Sequence, residues 1–128
     1  DAGIHFPIWG TCNGFEILVT LVNDFVNVLS HIDDEEGINH KLSIIKPGQF
    51  PGVLYESMPN KLLNNAEDKK LQFFNHENTL LTESYVKAKK LTSFFNLSAT
   101  AESINGVNFV ATLEAKHYPI FAVQFHPE

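Results

Sequence analysis

Residues 6–16 read Phe-Pro-Ile-Trp-Gly-Thr-Cys-Asn-Gly-Phe-Glu, an apolar run with glycine on either side of the chain's only cysteine. Such a pattern suits a strand that turns abruptly into a helix and presents one side chain at the bend. Gly10 and Gly14 relieve the crowding that a strained strand-to-helix elbow imposes, as they do in Gly-x-Ser-x-Gly turns. The side chain at the tip then lies at a helix N-terminus, where the macrodipole and unpaired backbone N–H groups favour a thiolate. Cys12 is the candidate nucleophile. The N–H of Asn13, the next residue, is the natural oxyanion donor.

The rest of the chain supplies the elements such an elbow needs. Phe6 to Thr11 reads as a short buried strand, with Trp9 in the core. From Gly14 to about Ser30, Phe15, Leu18, Val22, Phe25, Val26 and Leu29 recur at helical spacing. His31 to His40 reads as an acidic, solvated loop, and Leu42 to Ile45 as a short strand closed by Lys46-Pro47-Gly48. Pro59 opens a short helix through Leu63. Gln72 to His76 and Thr79 to Thr82 look extended, and Ser84 to Phe95 reads as one lysine-rich helix. Leu97, Ala99 and Ala101 then alternate, Asn105-Gly106 supplies a hairpin turn, and Val107, Phe109, Ala111 and Leu113 alternate again. Pro119 to Phe125 forms a last apolar strand that delivers His126-Pro127-Glu128 at its C-terminal end. Strands alternating with helices, followed by a hairpin, predict an α/β sandwich with a mixed sheet. Ligands of such sheets bind beyond the carboxyl ends of the strands, where Cys12 and His126 both fall.

Composition narrows the partners. The net charge is −6, and the nine basic residues are all lysines. That balance disfavours nucleic acid and removes the bidentate arginine clamp usual for phosphate. A single cysteine permits no intrachain disulfide, and no apolar stretch reaches membrane-spanning length. No signal peptide stands at the start. His5, His31, His40 and His117 lack metal-ligand spacing, and the acidic run Asp33 to Glu36 lacks the glycine and spaced oxygens of a calcium loop. These patterns give no metal site.

A thiolate with a nearby imidazole supports covalent acyl transfer. The imidazole draws off the thiol proton and later returns one to the leaving amine. Glu128, two residues beyond His126, can orient that ring. Each residue also has a plainer reading. Cys12 could be an inert core thiol, His126 a strand terminator before proline, Glu128 a solvated end, and His76 a surface-loop histidine. Glu16 could serve only to complement the helix dipole. Asn96-Leu97-Ser98 is a glycosylation sequon that matters only in a secreted protein.

Gly10-x-Cys12-x-Gly14-x-Glu16 together with a distant His126-Pro127-Glu128 resembles the class I glutamine amidotransferase-like superfamily. The flanks, Phe6 to Glu16 and Tyr118 to Glu128, are closer to its γ-glutamyl hydrolase branch, and Asn75-His76 resembles that branch's internal histidine segment. The resemblance implies a three-layer αβα sandwich of flavodoxin-like class. It implies a cysteine hydrolase cleaving poly-γ-glutamyl folates without metal or cofactor, with Cys12 as nucleophile and His126 as general acid/base. Glu128 falls on the third triad position of the amidotransferases, and His76 would lie by the γ-glutamyl group. Members are lysosomal or secreted and often homodimeric.

The resemblance also implies that residues 1–128 are the C-terminal portion of one catalytic domain, N-terminally incomplete. Such a piece would expose a sheet edge and turn over little substrate alone. Two other classes stay open: a glutaminase domain passing ammonia to a synthase partner, and a non-catalytic remnant that binds a γ-glutamyl compound.

Overall fold

A computed structural model describes residues 6–46 and 53–128. Its centre is a mixed five-stranded sheet in the order β1 (Ile8–Thr11), β9 (Ile120–Val123), β8 (Asn108–Ala115), β7 (Phe95–Glu102), β4 (Ser43–Ile44). β1 and β9 run parallel, and the other neighbours are antiparallel. Two small ribbons flank the sheet: β2 (Ser30–His31) with β6 (Asn78–Thr79), and β3 (Glu36–His40) with β5 (Gln72–Asn75).

Both faces of the sheet are covered. On one, Phe15 and Val19 of α1 (Asn13–Val22), Tyr85 of α3 (Thr82–Lys87) and Leu91 of α4 (Lys89–Phe94) pack against Phe95, Val110, Leu113 and Ala122. On the other, Leu63 and Ala66 of α2 (Asn60–Asp68) join Tyr55 and Phe74 against Ala99, Ala101, Phe109 and Ala111. Each fully buried Phe or Val contributes about 1.5–3 kcal/mol. The β7–β8 ladder contributes residues to both clusters. The mixed α/β sandwich expected from the sequence is the observed architecture.

Several elements depart from the sequence reading. The first strand is shorter and sits at the sheet edge, so Ile8 is exposed and Trp9 is 51% exposed. Trp9 is no core residue; it leans on Phe121 and donates its indole N–H to Thr11 Oγ1 at 3.0 Å. The helix expected to reach Ser30 stops at Val22. Asp24 and Phe25 take left-handed backbone angles (φ 54° and 62°), and the Phe25 N–H bonds back to the Thr20 carbonyl. Asn and Asp tolerate that turn, so the chain leaves the helix there and Phe25 and Val26 end up exposed. Apolar spacing beyond Val22 was misleading because no helix follows it.

The acidic segment 31–40 is not a solvated loop. Part of it forms β2 and β3, and Glu35 is wholly buried, its carboxylate paired with the buried His40 Nε2 and accepting the Ile104 N–H at 3.1 Å. α2 runs on past Leu63 to Asp68, since Ala66 continues the buried stripe and no breaker intervenes. The helix read as Ser84–Phe95 is two short helices. Ala88 (ψ 90°) interrupts it, which lets Tyr85 and Leu91 enter the same core.

Alternation through the hairpin is real but changes face. A register shift near Ala99 and Thr100 places Phe109 and Ala111 in one cluster and Leu113 and Ala115 in the other. The turn itself holds Gly106 at φ 77°, as an Asn-Gly turn requires. Pro47 and Gly48, expected to close the strand at 42–45, and His5 lie outside the described residues.

Candidate active site

The elbow forms where β1 hands over to α1. Cys12 has φ 51° and ψ −106°, a strained combination for a residue with a Cβ. Its N–H donates to the Val123 carbonyl at 2.8 Å, and its carbonyl accepts the Glu16 N–H at 3.1 Å, opening the helix. The backbone is thus held from both sides in a conformation it would not choose alone. Gly10 is indispensable to this turn: a Cβ there would lie 2.7 Å from both the Gly14 carbonyl oxygen and Leu18 Cδ1. Gly14, expected to share that role, has nothing within 4 Å of where a Cβ would stand. One glycine of the pair is steric; the other is not.

His126 arrives from the neighbouring strand. β1 and β9 are adjacent and parallel, with Thr11 opposite Val123, so Cys12 and His126 emerge at the same edge. His126 Nδ1 pairs with Glu128 Oε1 at 2.9 Å. A carboxylate can only accept, so Nδ1 carries a proton, and it is Nε2 that holds the lone pair whenever the ring is neutral. The Glu128 carboxylate is exposed, and its hydrogen bond with His126 holds it below the usual range. It is a partnered end rather than an idle one.

The ribbon strand β5 meets both residues. Cys12 Sγ–H donates to the Asn75 carbonyl at 3.6 Å, and the His126 N–H donates to the Phe73 carbonyl at 2.8 Å. His76, next in the chain, is buried between the rings of Phe74 and Phe109, at centroid distances of 5.6 and 5.3 Å. Its Nδ1 donates to the Asn78 carbonyl at 3.0 Å, leaving Nε2 buried with no partner among the described residues. Burial pushes its pKa down, so the ring is neutral near pH 7.

The thiol itself departs from expectation. Burial pushes the Cys12 pKa up, the Asn13 backbone N–H pulls it down, and the charges of Glu16 and Glu128 raise it further. A helix N-terminus was expected to favour the thiolate, but desolvation and two carboxylates outweigh it. The resting group is a protonated thiol on a carbonyl, so a base has to remove its proton. Glu16 does more than complement a dipole: it turns toward the end of β9 and accepts Gln124 Nε2–H at 3.4 Å, while burial raises its own pKa.

The structure therefore brings Cys12, Asn13, His126 and Glu128 to one edge, with His76 beside the β5 carbonyl that holds the thiol. Sequence reasoning missed Phe73, the Asn75 carbonyl and Gln124. Backbone carbonyls leave no sequence signal, whereas Gln124, a lone amide in the run Ile120 to Phe125, is a polar interruption that could have been noticed. Among the described residues no group of three or more His, Cys, Asp and Glu side chains could hold a metal ion, and no helix is long and apolar enough to cross a membrane.

The chain is 34% identical over 126 residues to gamma-glutamyl hydrolase of Bos taurus, covering 98% of this chain and 38% of that protein. It is 33% identical over 129 residues to gamma-glutamyl hydrolase of Mus musculus, covering 100% of this chain and 39% of that protein. With gamma-glutamyl hydrolase 1 of Arabidopsis thaliana the identity is 30% over 128 residues, covering 100% and 36%. The chain thus spans well under half the length of these relatives. In fold it is similar to a crystal structure of a Thermoplasma acidophilum protein assigned to GMP synthase, with a TM-score of 0.57 and 19% identity, over 97% of this chain and 49% of that one. The Peptidase C26 family model matches residues 2–128, and the chain belongs to that family.

Proposed function

We propose that this chain carries the nucleophile and base of a cysteine hydrolase that cleaves γ-glutamyl amide bonds in poly-γ-glutamyl folates. The observation that carries the reading is the strained Cys12 elbow at the same sheet edge as a histidine whose Nδ1 is already engaged by a carboxylate. His126 Nε2 takes the thiol proton, and the sulfur attacks the γ-carbonyl carbon as its C=O bond opens to an oxyanion. The Asn13 N–H, which leans on the sulfur at rest, donates to that oxyanion. Collapse expels the amine, protonated by His126, and leaves a thioester. Water, deprotonated by the same imidazole, then releases the glutamyl acid and restores the thiol. Glu128 keeps the ring in the productive tautomer. The unpaired His76 Nε2 is an acceptor for a donor on the γ-glutamyl group. The lysosomal or secreted compartment and the homodimer belong to the same reading.

The test is covalent labelling of Cys12 by an electrophilic γ-glutamyl analogue, read by intact mass, with competing ligands. Folyl-poly-γ-glutamate is expected to protect the thiol and free glutamine to leave it open. Protection by glutamine alone assigns the site to a glutaminase. An unlabelled Cys12 makes the chain a binding remnant.

A further inference from the structure

We propose that β5 sets the spacing between the thiol and the imidazole, and that Phe73 is a positioning residue acting through His126. The inference rests on the cysteine–histidine reading above and adds an element that lies in neither terminal motif. The Asn75 carbonyl accepts the Cys12 thiol and the Phe73 carbonyl accepts the His126 amide. Carbonyls two residues apart on one strand point the same way and lie about 7 Å apart. One extended segment therefore holds the nucleophile and the base at a fixed separation.

The histidine needs such a support. The β9 ladder ends at Val123, and Pro127 follows His126 without an N–H to donate. Among the described residues the imidazole's side-chain hydrogen-bond partner is Glu128, which is exposed. Phe73 pairs with His126 as an antiparallel bridge, and its ring meets the imidazole edge-on at 6.2 Å and 64°. Phe74, its neighbour, is fully buried in the core, whereas Phe73 stays 41% exposed and belongs to neither core cluster. A large apolar side chain left outside the core and set against the base restricts that ring's rotation. β5 is fastened in turn by its β3 ladder and by Glu35, which grips His40 and Ile104 and whose carbonyl accepts the His76 N–H at 3.5 Å.

Cys12 is the only thiol, so iodoacetamide alkylation of the whole chain reads it alone. The titratable groups that bear on the profile are Glu16 and Glu128 at Cys12, and Glu128 and the neutral His76 at His126. Phe73→Ala is expected to slow alkylation near neutrality about three- to tenfold, the range of a lost aromatic pair, with rates converging at high pH. Phe73→Tyr keeps the parental rate, and Phe73→Ala adds nothing in a His126→Ala background. Melting followed by circular dichroism reports folding, and Phe73→Leu decides the matter if the alanine variant unfolds. Phe73→Ala and Phe73→Leu at the parental rate, with His126→Ala slow, overturn the brace and leave the dyad standing. His126→Ala at the parental rate sinks both.

Discussion

Replacing each glycine of the elbow by alanine should move stability in opposite directions. At Gly10 the new methyl would sit 2.7 Å from the Gly14 carbonyl oxygen and 2.7 Å from Leu18 Cδ1. Carbon contacts relax at about 3.5–4 Å, so strand and helix must separate by roughly half an ångström or more. Leu18 can rotate, but the Gly14 carbonyl belongs to the helix that carries Asn13. Overpacking of this kind costs about 1–3 kcal/mol, against about 0.4–1 kcal/mol regained from a stiffer unfolded chain. A net loss of about 1–2 kcal/mol is expected. Unfolding entropy near 2.1 cal/mol/K per residue over 128 residues makes each kcal/mol worth about 4 °C, so Tm should fall by roughly 4–8 °C. Gly14 is helical, with open space around the missing Cβ, so Gly14→Ala should gain about 0.5–1 kcal/mol and raise Tm by roughly 2–4 °C. Differential scanning calorimetry of the two variants decides it. Equal destabilisation would show that both glycines serve the turn alike and that the close approach at Gly10 is not what the sequence answers to.

Four further outcomes follow from the site and its surroundings. Because burial and the Glu16 and Glu128 charges raise the Cys12 pKa, alkylation should keep rising above the ordinary thiol range, and Glu16→Gln should bring the profile to lower pH; an unmoved profile rules the Glu16 charge out. The linkage has the matching sign: a pKa raised on folding stabilises below the unfolded thiol pKa, and that contribution is lost as pH rises through the folded one, readable as a falling urea midpoint that Cys12→Ala abolishes. Glu35→Ala should cost about 3–5 kcal/mol, since it strands the buried His40 and the Ile104 N–H, and a loss below 1 kcal/mol in urea unfolding would contradict that role. Ser98 Oγ is buried without a partner among the described residues, so Ser98→Ala should leave stability unchanged or raise it by about 1 kcal/mol, and a clear loss would mean the hydroxyl has a partner.

What the sequence disclosed follows from the range of the forces involved. The elbow, the Asn-Gly hairpin and the terminal strand were legible because each is written in adjacent residues whose conformational limits are local. The end of α1 was not, because Phe25, Val26 and Leu29 keep helical spacing while Asn23, Asp24 and Phe25 take the chain out of the helix. Glu35 was misread for the reverse reason: its neighbours are solvated, and only the distant Ile104 and the fold of β3 over it supply partners that make burial tolerable. At the site, Cys12 and His126 could be paired on their motifs, yet the protonation state could not. It depends on desolvation and on Glu16 and Glu128 converging from opposite ends of the chain. That difference bears on mechanism. A helix N-terminus alone would supply a standing thiolate, reactive toward any electrophile. On the mechanism proposed above, a thiol held on the Asn75 carbonyl would be released as its proton is drawn to His126, so reactivity would be tied to whatever aligns that imidazole, and β5 touches both partners.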